Sequence, residues 1–190
     1  MISVVICSAQ PARLQAVARN IEATIGVEHE LIAMDNSTEG RGICAVYNEG
    51  ASRASFPFVC FVHEDVEFLS PDWGARALAH FSGDAELALI GLAGSRYKAA
   101  TPSGWHSGDE DDLCINVLHG SSRADASAAF AKPADSGSSQ CVPVVALDGV
   151  WLFARRSVWA QTRFDERLRG FHFYDVCLLY TSPSPRDATL

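Results

Sequence analysis

The run Phe58-Val-Cys-Phe-Val62, followed at once by His63-Glu64-Asp65, constrains this chain more than any other stretch. Five mostly apolar residues with aromatic and β-branched side chains predict a strand buried on both faces, as in the interior of a parallel sheet, rather than a helix. Ligands of open α/β sheets bind beyond the carboxyl ends of such strands, so three polar residues there mark a candidate site. A polar strand end running into a turn is the plainer reading of the same three residues.

The residues before this run repeat the theme. Ile2 to Cys7 predicts a short buried strand, and Pro11 opens a helix over Ala12–Ile25, where proline suits the first turn. Leu14, Val17, Ala18, Ile21 and Ile25 recur at three-and-four spacing, which covers one side of a sheet, and Gly26 ends the helix. Glu30–Met34 predicts a second strand that stops at Asp35-Asn36-Ser37-Thr38, and Ile43–Ser55 a second helix, broken by Phe56-Pro57. Asn48 is a polar residue in an otherwise apolar helix, facing either solvent or a ligand. Strand, helix, strand, helix, strand over the first 62 residues predicts an α/β fold with right-handed crossovers.

Beyond the central strand, Ser70-Pro71-Asp72 predicts a helix start with Ser70 as cap, and Leu87–Leu92 a further strand. Periodicity weakens from Arg96 to Gln140, with a short strand candidate at Cys114–Leu118. Asp109-Glu-Asp-Asp112 reads as a solvated turn, and Ser121–Ser139 is nearly all Ala, Ser, Asp and Gly, the composition of a lid or a disordered loop. Strands resume at Val142–Leu147 and Val150–Ala154, then a short helix near Val158-Trp159 and a linker into Phe171–Val176.

Length and composition bound the function. A chain of 190 residues suits one domain, or one domain plus a small extension, and 48% hydrophobic residues supply its core. A net charge of −8 argues against a nucleic-acid partner, though an anionic nucleotide remains bindable through a metal or a helix N-terminus. The six cysteines lack C-x-x-C and zinc spacing and read as free thiols in a reducing compartment. Neither a secretory leader nor a membrane-length apolar stretch is visible, so the expected location is cytoplasmic, with room for peripheral membrane association.

Polar groups thus collect at strand ends: Ser8 and Gln10, Asp35 and Asn36, His63 with Glu64 and Asp65, and later Asp148-Gly149 and His172 with Asp175. A hard cation such as Mn2+ or Mg2+ takes carboxylate oxygens and leaves positions for phosphate. Strand alternation points Glu64 and Asp65 oppositely, and Asp65 is the better ligand candidate. Asp35 is placed to accept hydrogen bonds from a ribose or base, and Asp175 could deprotonate a hydroxyl facing the same cleft. Trp105 and Trp151 are either core or platforms for a sugar's apolar face.

Taken together, Ser3-Val-Val-Ile-Cys7, Leu31-Ile-Ala-Met-Asp35-Asn36-Ser37, Tyr47-Asn48-Glu-Gly50, Phe61-Val-His63-Glu64-Asp65-Val66, Leu147-Asp148-Gly149 and Phe171-His172-Phe173-Tyr174-Asp175-Val176 make the chain resemble the family 2 glycosyltransferase-like domains of GT-A fold. The resemblance implies a nucleotide-diphospho-sugar transferase fold, a mostly parallel central sheet flanked by helices. It also implies a nucleotide-binding half at 1–95 and an acceptor-side half at 96–176. It assigns Ser8, Gln10, Asp35, Asn36, Asn48 and Glu64 to the nucleotide, and Asp65 and His63 to Mn2+ or Mg2+. Trp105, Asp148, Gly149, Trp151 and His172 fall to the acceptor, and Asp175 to the catalytic base of an inverting transfer. The acceptor would be a glycan, a lipid-linked group or a protein. His63 departs from the family's Asp-x-Asp pattern at its first position, where imidazole remains a competent Mn2+ ligand. Residues 177–190 resemble a translated adapter sequence, which implies a native domain interrupted near Val176.

Two other classes compete. Nucleotidyltransfer or dinucleotide binding would want a glycine-rich loop after the first strand, and Ser8-Ala-Gln-Pro11 offers none. A nucleotide- or carbohydrate-binding domain without turnover, or an inactive truncated fragment, is the non-enzymatic alternative.

Overall fold

The computed structural model describes residues 1–100, 103–106, 108–120 and 141–181. The low-complexity run at Ser121–Ser139 and most of the supposed tail, 182–190, lie outside the described residues.

The first three strands, β1 (Ile2–Ser8), β2 (His29–Asp35) and β3 (Phe58–His63), are connected by α1 (Pro11–Thr24) and α2 (Ile43–Ser52). They pair in parallel with β1 in the middle. After α3 (Trp73–Gly83) come the short strands β4 (Leu89–Gly91), β5 (Ala93–Ser95), β6 (Leu113–Ile115) and β7 (Ala146–Leu147), then β8 (Trp151–Arg155), α4 (Arg156–Thr162) and α5 (Tyr174–Thr181). The central sheet has five strands in the order β2-β1-β3-β8-β4, and β6-β5-β7 form a second, smaller sheet. β8 is antiparallel to both β3 and β4, so the sheet is mixed, with β8 as its one reversed strand. The α/β architecture is the expected one.

Alternation along the strands sorts two cores. Ile2, Val4, Ile6, Cys60, Val62, Trp151 and Phe153 face α1 and α3. Val5, Val59, Phe61, Leu152 and Ala154 face the other way, toward Tyr47 of α2 and Trp159, Phe164, Tyr174 and Leu178 of the late chain. Both faces of β1 are closed, with Ile2, Val4, Val5 and Ile6 fully buried, which is why it reads as an unbroken apolar run.

Several boundaries differ from the expectation for physical reasons. α3 begins at Trp73 rather than at Pro71, because Asp72 takes a left-handed conformation (φ 56°) and its side chain makes no capping bond. Leu87–Leu92 divides, since the chain leaves the central sheet after Gly91 and enters the small sheet at Ala93. Val142–Leu147 keeps strand pairing only at Ala146-Leu147, and Cys114–Leu118 becomes Leu113–Ile115. Gly26 ends α1 at φ 71°, as anticipated. The acidic run forms a 3-10 turn at Glu110–Asp112 with no buried residue. At the far end, α5 crosses the supposed boundary at Val176: Cys177 is half-buried and Leu178 joins the core.

Candidate functional site

The register of the sheet brings the early polar residues to one rim. Ser8 pairs with Asp35 and Cys7 with His63, so the ends of β2, β1 and β3 lie side by side. Because β8 runs the other way, its beginning lies at that same rim: Trp151 pairs with Val62, and the His63 amide donates to the Val150 carbonyl at 3.2 Å. The antiparallel strand is therefore what carries Asp148 and Gly149 to the ends of the parallel ones.

The three polar residues closing β3 are drawn to three different elements. His63 Nε2 and Tyr174 Oη are hydrogen-bonded at 2.6 Å, which ties β3 to the start of α5. Glu64 Oε2 accepts from Ser8 Oγ at 2.7 Å and from the amides of Gln10 at 3.1 Å and Ala9 at 3.2 Å, shaping the β1–α1 loop. Asp65 stays exposed, with Arg13 Nη1 of α1 at 3.5 Å.

Around β2, Asp35 is exposed and its Oδ1 accepts from Ser37 N at 2.9 Å and Ser37 Oγ at 2.7 Å. Those bonds, the side chain's first and the backbone's second, hold its carboxyl below the ordinary aspartate range. Asn36 is buried and spans the loop to Arg41, donating to its carbonyl and accepting from its amide, each at 2.8 Å.

Asn48 is buried rather than facing solvent. Its Nδ2 donates to the Phe164 carbonyl and to Glu166 Oε1, both at 2.9 Å, while Oδ1 accepts from Phe164 N at 3.0 Å and Trp159 Nε1 at 3.3 Å. Its amide is committed to holding the late chain against α2. Trp151 is likewise core, 4% exposed between Trp73 and Phe153, and offers no face to a sugar. Trp105 is half-buried, and its indole Nε1–H donates to Asp148 Oδ2. His172 is exposed between Phe171 and Phe173, about half exposed themselves.

Asp175 occupies the first turn of α5 and is buried. Gly149 N donates to its Oδ2 at 3.1 Å and Val176 N to its Oδ1 at 2.8 Å. Burial pushes its carboxyl up, the nearby Asp148 charge adds to the rise, and the two backbone donors oppose it. Glycine is required at 149 because a Cβ there would lie 2.0 Å from Tyr174 Oη.

A cavity of about 480 Å³, lined in part by Ser52, Pro57, Arg156, Trp159 and Arg163, opens at the opposite rim, where β3 begins and β8 ends. It is remote in the sheet from the polar strand ends.

Sequence reading missed Tyr174 and Arg13 as members of this rim. Tyr174 stood inside a quoted motif, but its partner is 111 residues away, a distance that no local pattern carries.

The fold and rim define a class that the comparisons make specific. The chain belongs to the glycosyltransferase-like family, whose profile matches residues 2–181, α5 included. Among solved structures it is similar to the mannosyltransferase PcManGT from Pyrobaculum calidifontis in complex with GDP-Man and Mn2+. The TM-score is 0.54 at 12% identity, over 87% of this chain and 47% of that one. The chain therefore spans about half the length of that relative, and the likeness is one of fold. No curated protein sequence matches the chain.

Proposed function

We propose that this domain binds a nucleotide-diphospho-sugar at the β1–β2–β3 rim and transfers its sugar, with inversion, to an acceptor hydroxyl deprotonated by Asp175. The observation that carries the reading is the meeting at one rim of Asp35, the His63–Asp65 turn and Asp148-Gly149, with Asp175 bonded to Gly149. Membership of the glycosyltransferase-like family supports the reaction class.

The roles follow from the surroundings of each group. Asp35, exposed and ionised, accepts hydrogen bonds from a ribose or base. Glu64 shapes the β1–α1 loop through Ser8 and Gln10, and so acts on the nucleotide side through the backbone. A hard cation takes most of its oxygens from phosphate and water when a protein offers one carboxylate. Asp65 fits that single position, since it is exposed and its Arg13 contact is long. Among the described residues no three His, Cys, Asp or Glu side chains gather as a preformed cage. Bound there, Mn2+ or Mg2+ would supply positive charge to the diphosphate. Asp175, its pKa raised by burial, is suited to take the proton of a hydroxyl as the oxygen attacks the anomeric carbon, whose bond to the diphosphate breaks and releases the nucleoside diphosphate. The exposed Phe171-His172-Phe173 segment and Trp105 border this side, suiting a glycan, lipid-linked or protein acceptor.

The test is a screen of nucleotide-sugars with Mn2+ and Mg2+, scoring release of nucleoside diphosphate and transfer to acceptor. Consumption that Asp65→Ala and Asp175→Asn each reduce supports the reading. Binding of a nucleoside diphosphate with Mn2+ and no consumption of any donor replaces it with a binding domain.

A further inference from the structure

Resting on the transferase reading above, we propose that His63 and Tyr174 form a positioning joint that sets Asp175 at the rim, and that His63 is not a cation ligand.

The argument begins with strand alternation. His63 follows Phe61 and Val59 on one face of β3, the face carrying Tyr47, Phe164 and Tyr174. The imidazole therefore leans toward α5 and meets Tyr174 Oη at 2.6 Å. Asp65, the other candidate for a shared cation, lies exposed on the α1 side, 3.5 Å from Arg13 Nη1, and Glu64 turns to the β1–α1 loop. The three residues diverge, whereas two ligands of one ion must converge.

Tyr174 is built to receive that bond. Its ring is 3% exposed, with Tyr47 5.9 Å and Phe164 6.0 Å away between centroids. A phenol hydroxyl buried among those rings needs a hydrogen-bond partner, and His63 is that partner. Gly149 leaves room for that hydroxyl and donates its amide to Asp175 Oδ2, so one glycine serves both neighbouring residues. The approach to α5 is strained as well: Phe173 holds φ 64°, a left-handed conformation unusual for a bulky residue. Such strain persists only where the surroundings over-determine it. Here the hydrogen bonds of Tyr174 and Asp175 fix the turn from its inner side. A joint of this kind gives a reason for histidine at the end of β3: it reaches sideways to the acceptor half.

The experiment compares His63→Leu, Tyr174→Phe, which keeps the ring and removes the hydroxyl, and the double variant. Misplacement of a reacting group by about 1 Å costs on the order of 100-fold. We expect each single variant to lower kcat by about 10- to 100-fold. KM for the donor and the Mn2+ concentration for half-maximal rate should move less than about twofold, and the double variant should be no worse than the poorer single. His63→Gln, which restores a hydrogen-bonding group, should recover part of the loss. A tenfold rise in the Mn2+ requirement of His63→Leu, with Tyr174→Phe unaffected, overturns the proposal and makes His63 a ligand. Additive losses in the double variant overturn it too. If the unaltered chain consumes no nucleotide-sugar, the transferase reading fails separately. The joint is then decided by unfolding midpoints of the same four proteins, where non-additivity sustains it and additivity ends it.

Discussion

Asp35 and Asp175 lie at one rim, yet their environments act on them in opposite directions. Asp35 closes a parallel edge strand in full contact with water, and Ser37 holds it below the usual aspartate range. Asp175 opens a helix behind the antiparallel strand, and burial raises it despite two backbone donors. A group that must accept hydrogen bonds at every working pH is best kept ionised and wet. A group that must take a proton is better with its basicity raised by exclusion of water. The contrast divides the rim into a solvent-open side at Asp35 and a partly closed side at Asp175, the donor and acceptor sides of the proposed reaction.

Removing the raised carboxyl is the strongest test of that division. Asp175→Asn should lower transfer by about 10²- to 10⁴-fold while nucleoside diphosphate binding, measured by calorimetry, is nearly unchanged. Equal loss of both would erase the distinction between the two sides. The pH dependence comes next. If Asp175 is the proposed base it must be ionised to act, and with its pKa raised the acid limb of kcat/KM should fall above the ordinary aspartate range. The linkage has the matching sign: the folded state holds this proton more tightly than the unfolded chain. Its contribution to stability is full below the unfolded pKa and is lost as pH rises through the raised folded value. Asp175→Asn should flatten that part of the stability–pH curve.

A structural probe sharpens the closed side. Gly149→Ala places a methyl group against Tyr174 Oη and should destabilise the fold by about 1–3 kcal/mol, read by denaturant unfolding. The corresponding change on the open side should be mild. Asp35→Asn removes charge but keeps an acceptor, and should weaken nucleoside diphosphate affinity by roughly 3- to 10-fold with only a small fall in the unfolding midpoint, from the weakened Ser37 bonds. A large stability loss there would show that Asp35 holds the loop rather than a ligand.

Much of the first half, from β1 to β3, was legible because its parts are local. The apolar runs at Ile2–Cys7 and Phe58–Val62 and the α1 periodicity predicted β1, β3 and α1 nearly to the residue. The polar residues following each strand sat where parallel topology puts them. Asn48 shows where local reading stops. A polar residue on an apolar helix is conspicuous, but its partners are Trp159, Phe164 and Glu166, more than a hundred residues on. Trp151 shows the same limit from the apolar side: the sequence offers a tryptophan, and only packing against Trp73 and Phe153 makes it core.

By itself, then, the sequence determined the alternation of strands and helices, the double-sided burial of the central strands, and the places where polarity begins. These depend on side-chain period and on backbone preferences within a few residues. Tertiary structure alone decided the reversal of β8, which brings Asp148 and Gly149 to the rim, the bond from Gly149 that ties Asp175 of α5 there, and the separate destinations of His63, Glu64 and Asp65. Hydrogen bonds and burial between distant segments set those outcomes, and neither is written in the spacing of neighbouring residues.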